Sequence, residues 1–496
     1  MNKAILKIWT FLLFGVGTSC LSYAQNITAE QIFPVQGYSV FEQGYPLQVL
    51  PAQRGQFHFL EFWIGGNQGR TNTNYYLQTY RTFDYTESNF TEITPPETKL
   101  MWVKESHSIF ERGVVVIGTQ ERGEDEHEHT VASFFDNQGR QLSEETVQLS
   151  TYPDKRRRNY EEWIRISPQG RRLLWIGHNG RDYHASLFDH RGEESWRVDL
   201  ELPYLSEKYT LADAAVDDRG TPYLLMAPPS DLAGAPLMLL QLTDSARTTV
   251  EEVIMPAQGA FLMRAHLLLD NDSGLQVTGV VNQPNDSLRL FNGSKLEADE
   301  QLWSRFFLAT YIRPKKPGFP LKQDLIHDYP VPERWVKHFI QDGGVGSNFS
   351  AVQHFRHENV LVMALEEQYP KKDFWFYYDL GLLAFDLETG ELRWEKIITK
   401  QQRNRGTNEV LSYVGGIARS QLRLVFLTER GAQGKLNCTT LNMQTGERRD
   451  RYLASNETAQ YLFFPRRSAI VNPREMVLIG LGNPGQNDYK LITVTF

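Results

Sequence analysis

Residues 381–398, GLLAFDLETGELRWEKII, carry the pattern that organises the chain. An apolar run from Leu382 to Phe385 passes through the turn-forming Asp386-Leu-Glu-Thr-Gly390 into a stretch where Leu392 and Trp394 alternate with Glu391, Arg393 and Glu395. Alternation of period two about a Gly-bearing turn predicts a β-hairpin. The same grammar recurs. Apolar strands joined in pairs by a short polar loop run 57–64 with 75–82, 114–118 with 130–135, 172–176 with 183–188, and 223–227 with 237–242. The later pairs are 275–281 with 287–291, 360–365 with 382–385, 422–427 with 435–441, and 476–481 with 489–496. Most equivalent starts lie about 50–62 residues apart, which is a repeat period.

After most second strands comes an Asp/Asn/Gly turn and a more polar strand, as at Phe135-Asp-Asn-Gln-Gly139, Phe188-Asp-His-Arg-Gly192 and Phe291-Asn-Gly293. Before most first strands lies another hairpin, with turns such as Ser167-Pro-Gln-Gly170 or Asp217-Asp-Arg-Gly220. Each repeat is therefore a four-stranded antiparallel meander, and meanders of this kind bury their faces by stacking radially. The expected fold is all-β: a single propeller of eight blades, with seven as the alternative. The last pair stops at Phe496 without a fourth strand, and 27–40 offers strand-like sequence with no partner, so the N-terminal strand is expected to close the ring. One gap breaks the period between Leu275 and Val360, where about 30 residues are in excess. The excess is assigned to an insertion at about 297–350, rich in aromatics that include Trp303, Tyr311 and Trp335. Pro332 suits the first turn of a short helix there. These rings serve either as a partner contact or as packing of the excursion onto its own blade.

Composition adds the compartment. Hydrophobic residues make up 41% of the chain and charged ones 23%, which excludes a disordered or fibrous protein. The net charge of −8 is mild, and the one basic run, Lys155-Arg-Arg-Arg158, reads as a solvated loop, so no nucleic-acid partner is implied. Lys3 and Lys7 precede an apolar run from Ile8 to Val16 and a small-x-small site at Ser22-Tyr-Ala24, the pattern of a secretory signal peptide over 1–24. Lipidation at Cys20 is the rival, disfavoured because Gly17-Thr-Ser-Cys20 lacks the leucine expected ahead of a lipoprotein cysteine. The Ser-Tyr-Ala-Gln junction resembles those of exported proteins of Bacteroidetes-type bacteria. The expected product is periplasmic or extracellular, monomeric when alone, and without a transmembrane segment in the mature chain 25–496. Its single remaining cysteine, Cys438, lies in a strand and is expected to be a buried structural thiol.

The stretch AFDLETGELRW, ending at Trp394, resembles the tryptophan-docking repeat of the pyrroloquinoline-quinone-like and WD40-like propeller superfamily, and Leu441-Asn-Met-Gln-Thr-Gly446 matches it in part. The resemblance covers about a tenth of the chain. It implies a structural repeat, shared by enzymes and by non-enzymatic members such as the propeller subunit of the outer-membrane β-barrel assembly machine. The quinoprotein dehydrogenases' adjacent cysteine pair is impossible with Cys438 alone, and no CxxCH haem motif occurs, so no cofactor is expected.

Sialidase-type Asp boxes, a GxSxG elbow, an HExxH helix, a Walker loop and a dinucleotide fingerprint are all missing from the sequence. The best metal-like cluster is Glu124-Asp-Glu-His-Glu-His129, where His127 and His129 at i and i+2 could share one side of an extended segment. A hydrated acidic loop is the plainer reading. Asp270-Asn-Asp-Ser-Gly274 has the start of a calcium loop without its distal glutamate, and reads as a hairpin turn. Propeller geometry gathers the loops inside the marked pairs on one face, and there the candidate binding residues are Asn67, Arg70, Arg122, His178, Asn179, Arg181, Asp182, Lys372, Trp375 and Asn483. This polar rim with aromatic and cationic members suits a protein segment or an envelope glycan. The leading expectation is a non-catalytic scaffold; the alternative is a carbohydrate-active hydrolase or lyase using carboxylates from separate blades.

Overall fold

The computed structural model describes residues 26–34, 43–53, 55–67, 70–93, 99–122, 127–142, 147–149, 161–178, 183–200, 209–228, 234–242, 248–253, 261–269, 274–282, 305–313, 321–332, 334–335, 338, 349–405, 412–428, 435–453, 462–481 and 488–496. Strand β1 (Asn26–Pro34) comes first in the chain and last in the ring. Blade 1 is β2 (Gln43–Pro51), β3 (Gln56–Asn67), β4 (Arg70–Arg81) and β5 (Glu87–Glu92). Blade 2 is β6 (Lys99–Ser108), β7 (Val114–Arg122), β8 (His127–Phe135) and β9 (Val147–Gln148). Blade 3 is β10 (Glu161–Ile166), β11 (Arg172–His178), β12 (Tyr183–Asp189) and β13 (Glu194–Leu200). Blade 4 is β14 (Thr210–Val216), β15 (Pro222–Ala227), β16 (Leu237–Leu242) and β17 (Thr248–Val253). Blade 5 is β18 (Phe261–Leu269), β19 (Gly274–Asn282), β20 (Arg305–Ile312) and β21 (Lys322–Pro330).

Blade 6 is β22 (Phe349–His357), β23 (Val360–Lys371), β24 (Phe374–Asp386) and β25 (Leu392–Ile398), with β26 (Gln402–Arg405) added to β24. Blade 7 is β27 (Tyr413–Ala418), β28 (Gln421–Leu427), β29 (Leu436–Asn442) and β30 (Arg448–Tyr452). Blade 8 begins with a broken strand, β31 (Leu462–Phe463) and β32 (Ala469–Asn472) about a 3-10 turn at Pro465–Arg467, and continues through β33 (Glu475–Leu481) and β34 (Asp488–Thr495). Its fourth strand is β1, antiparallel to β34 with Asn26 opposite Thr495 and Pro34 opposite Asp488. The expected closure by the N-terminal strand is what the structure shows.

Eight blades, rather than seven, follow from the packing. Apolar side chains collect in clusters that each bridge two neighbouring blades, and the eight clusters take the ring once around. The strands' alternation explains this: each sheet is buried on both faces, so its middle strands read as continuous apolar runs such as Leu173–Ile176 or Val477–Ile479 with no exposed side. Turns follow their sequence. The carboxylate Oδ1 of Asp136 accepts from the backbone N–H of Gln138 at 2.8 Å and of Arg140 at 2.9 Å, and Asp189, Asp217, Asp386 and Asn442 make equivalent turns. Cys438 is fully buried in β29, as expected.

One strand pairing differs from expectation. The partner of β19 is Arg305–Ile312, with Leu275 opposite Tyr311, whereas 287–291 lies outside the described residues. Tyr311 is consequently a core residue, 1% exposed. Trp335 is 2% exposed and fills the junction of blades 5 and 6, where a Cβ on Gly381 would sit 2.5 Å from its ring. Neither ring can stand as an outward contact, and Trp303 lies outside the described residues. Among the described residues no helix is long and apolar enough to cross a membrane.

Candidate functional site

In a four-stranded meander the hairpins between second and third strands and the crossings between blades emerge on the same side, here termed the loop face. The first strands surround the axis. Direct contacts join β2 to β6, β10 to β14 to β18, and β22 to β27 to β32 to β2. Side chains complete the circle: Lys104 Nζ on β6 reaches Glu162 Oε2 on β10 at 2.6 Å, and the rings of His266 on β18 and His354 on β22 lie 5.4 Å apart.

On the loop face the hairpin of blade 6 stands out. Strand β22 stops pairing at Glu367, a bulge follows between Glu366 and Gln368, and β23 and β24 continue as a two-stranded arm to a tip at Lys372-Asp373. There β26 takes over the outer edge, pairing Phe374 with Arg405 and Tyr377 with Gln402. Successive side chains of β24 point to opposite faces. One face of the arm carries Trp375, Tyr377 and Asp379. It reaches past blade 7: Arg466 of blade 8 donates to the Tyr377 hydroxyl at 3.0 Å, and Tyr377 joins the apolar cluster of blades 8 and 1. The other face carries Phe374, Phe376 and Tyr378, partly buried, with ring centroids 6.4 and 5.8 Å apart. The Arg403 guanidinium sits over Phe374 at 3.8 Å and over Phe376 at 5.5 Å, a cation–π arrangement.

A buried charged network holds the base of this arm. Lys400 Nζ forms an ion pair with Glu366 Oε1 at 2.7 Å, both ionic side chains being fully buried, and donates to Gln402 Oε1 at 3.0 Å. Ser412 Oγ donates to Glu366 Oε2 at 2.6 Å, and Gln402 Nε2 donates to the carbonyls of Ser412 and Leu427 at 2.9 and 3.0 Å. Asp379 accepts the Lys400 backbone N–H at 2.8 Å and pairs with His338. Burial pushes the Lys400 ammonium down from its ordinary range, with Glu366 pulling back the other way. Burial likewise pushes the Tyr413 phenol well up, and the Glu366 charge adds to it. Breaking such a pair leaves an uncompensated buried charge, which fixes the arm to blades 6 and 7.

The axis carries a second polar series. Arg165 donates to Asp213 Oδ1 at 2.8 Å, Asp213 Oδ2 lies 3.7 Å from His266 Nδ1, and His354 Nε2 is 2.9 Å from the Thr278 hydroxyl. Burial alone would raise the Asp213 carboxyl, but the neighbouring His266 imidazole and the Arg165 charge outweigh it and hold it below the usual range. His354 is lowered to about 3, by burial first and by His266 second. Glu162 is satisfied by Lys104, by the Thr130 hydroxyl at 2.6 Å and by the Trp175 indole N–H at 3.1 Å. Near the loop-face end of β6, Trp102 is 61% exposed.

The expected binding residues are placed unevenly. Asn67 and Arg70 face each other in register at the blade 1 tip, as do Arg122 and His127 at the blade 2 tip. His129 Nδ1 lies 3.1 Å from the Gln148 amide, and among the described residues no group of three or more His, Cys, Asp or Glu could hold a metal ion. His178 is buried, stacks on Tyr183 at 4.8 Å and approaches Glu161 at 3.3 Å; burial lowers its affinity for a proton, against the pull of Glu161. Lys372 is exposed at the arm's tip, whereas Trp375 packs on the ring. Asn179, Arg181, Asp182 and Asn483 lie outside the described residues. Sequence reasoning missed Trp102, Phe376, Tyr378 and Arg403. The unbroken aromatic run Phe374-Trp-Phe-Tyr-Tyr378 is the signal the sequence offers for Phe376 and Tyr378.

No family model matches the chain, and no curated protein matches it. Among solved structures it is similar to the Dos1 propeller, at 8% identity over 93% of this chain and 95% of that one, with a TM-score of 0.43. It is similar to the β-propeller domain of the Trilobed protease from Pyrococcus furiosus, at 10% identity over 80% and 94%, with a TM-score of 0.36. Likeness to BamB from Moraxella catarrhalis runs at 12% identity over 80% and 100%, with a TM-score of 0.32.

Proposed function

We propose that this chain is an exported, non-catalytic β-propeller that binds a partner protein through its loop face. The observation that carries the reading is the blade 6 arm, an aromatic surface set on a rigid base. Its Phe374, Phe376 and Tyr378 face is partly open to solvent, while the buried network of Glu366, Lys400 and Gln402 fixes its orientation before any partner arrives. Preorganised aromatic and arginine side chains are what binding hot spots are made of, because little conformational entropy remains to be lost. The carboxylates on the axis support binding over glycoside hydrolysis. Glu162 and Asp213 are each tied to a cation, Lys104 and Arg165, so neither resembles a free acid or base. Export rests on the leader-like sequence of 1–24.

The test is a pull-down from the native envelope with the tagged mature chain beside an F376A/Y378A variant of it. A stoichiometric protein retained by the first and lost by the second, with affinity reduced by about 30-fold, is the expected result. Retention of nothing by the intact chain, together with turnover of a glycan, would replace this reading with the carbohydrate-active one.

A further inference from the structure

Resting on that reading, we infer that the partner presents an extended, acidic segment of polypeptide to the blade 6 arm. Within the arm, residues 368–378 and 402–405, the cations are Lys371, Lys372, Arg403 and Arg405 and the sole acid is Asp373. A chain of net charge −8 has thus concentrated positive charge on a hairpin arm that runs on beyond the end of its own first strand. Lys371 and Lys372 are exposed, and Asp373 is engaged only loosely, 3.5 Å from Arg405 with both side chains about three-quarters exposed. Such a pair contributes little and leaves the excess intact. Among the described residues the buried Nε of Arg403 has no hydrogen-bond partner, although its guanidinium lies against two rings. An arginine held flat on aromatic faces keeps the edge of its guanidinium in plane for a carboxylate.

Spacing selects the kind of acid. Rings at every second residue of β24 recur at 6.4 and 5.8 Å, close to the side-chain repeat of about 6.8 Å along one face of an extended peptide. A peptide lying along the arm therefore meets one ring per pair of residues with its apolar side chains. Carboxylates flanking those side chains reach Arg403 on one side and Lys371 and Lys372 at the tip.

The probes are a fluorescein-labelled dodecapeptide alternating glutamate and valine, its lysine-for-glutamate counterpart, and a polygalacturonate oligomer of similar charge. Binding to the mature protein is read by fluorescence anisotropy, or by competition for the oligomer, at about 50 and 300 mM salt. The expected result is binding of the acidic peptide alone, weakened at least about tenfold by the higher salt and again at least about tenfold in K371E/K372E. These two lysines are exposed, so the variant should keep the parent's Tm, and that is measured alongside. Binding of both peptides alike, binding of neither, or preference for the oligomer overturns the inference. The envelope pull-down separates the two levels. If K371E/K372E retains the partner as well as the parent does, the acidic segment is wrong and the binding function stands; if the parent retains nothing, the binding function itself falls.

Discussion

His58 makes two hydrogen bonds that suit a neutral imidazole: Nε2–H donates to the Arg112 carbonyl at 3.3 Å, and Nδ1 accepts from the Thr79 hydroxyl at 2.9 Å. The side chain thereby joins blade 1 to blade 2, and burial lowers its pKa from 6.5 to about 4. The unfolded chain then binds a proton that the folded one refuses between these limits. Stability from this group is complete above pH 6.5 and is lost as pH falls towards 4, by about 3 kcal/mol in all. His354, lowered to about 3, acts in the same direction. In urea titrations from pH 7 to pH 4, the parent is expected to lose about 3 kcal/mol more than H58Q, whose amide can replace the donor without titrating. Equal losses would place the proton uptake elsewhere.

At the scale of the strand and turn, Trp394 shows why the tryptophan-docking pattern is spaced as it is. Its indole N–H donates to the Met443 carbonyl of the next blade at 2.8 Å, and its ring covers Gly446, where a Cβ would lie 2.8 Å from the ring carbons. Gly446 also sits at φ +69°, the left-handed region that favours glycine, so the position excludes side chains twice over. W394A is expected to cost about 3–5 kcal/mol and G446A about 2 kcal/mol or more. The double variant should cost less than the sum of the two, because removing the ring removes one of the two objections to alanine. Additive costs in urea denaturation would mean that the two residues are not in contact. This junction was legible in the sequence because Thr-Gly and Trp stand at fixed spacing. So were the middle strands of seven blades, since burial on both faces leaves a run of apolar residues that little else produces. The fifth blade misled because 287–291 alternates as well as a strand does, while the true partner, Arg305–Ile312, carries Phe306, Phe307 and Tyr311, aromatics equally consistent with a docking surface. The blade 6 arm escaped for the opposite reason. Phe374 to Tyr378 has no polar alternation, because one face packs on blade 8 and the other lies under Arg403. Long-range partners such as Lys400 with Glu366 leave no spacing to read.

The whole molecule depends on a closure that joins its first described strand to its last. Blades 8 and 1 share an apolar cluster that includes Phe57, Phe59, Val477 and Leu491, but side-chain packing alone leaves the outer edge of β34 with unpaired backbone groups along Asp488–Thr495. β1 covers that edge in antiparallel register from Ile27 opposite Val494 to Phe33 opposite Tyr489. An uncovered strand of this composition, Tyr-Lys-Leu-Ile-Thr-Val-Thr, is a template for pairing with another copy. Deleting residues 26–34 is therefore expected to do two things at once. It should lower Tm by about 5 °C or more through the lost backbone hydrogen bonds, and it should cause concentration-dependent association in size-exclusion chromatography. A synthetic peptide of residues 26–34 added in trans should reverse both, since the missing element is one strand and the other blades keep their own four. A deletion variant that stays monomeric at unchanged Tm would show instead that the cluster between blades 8 and 1 closes the ring without a strand across it.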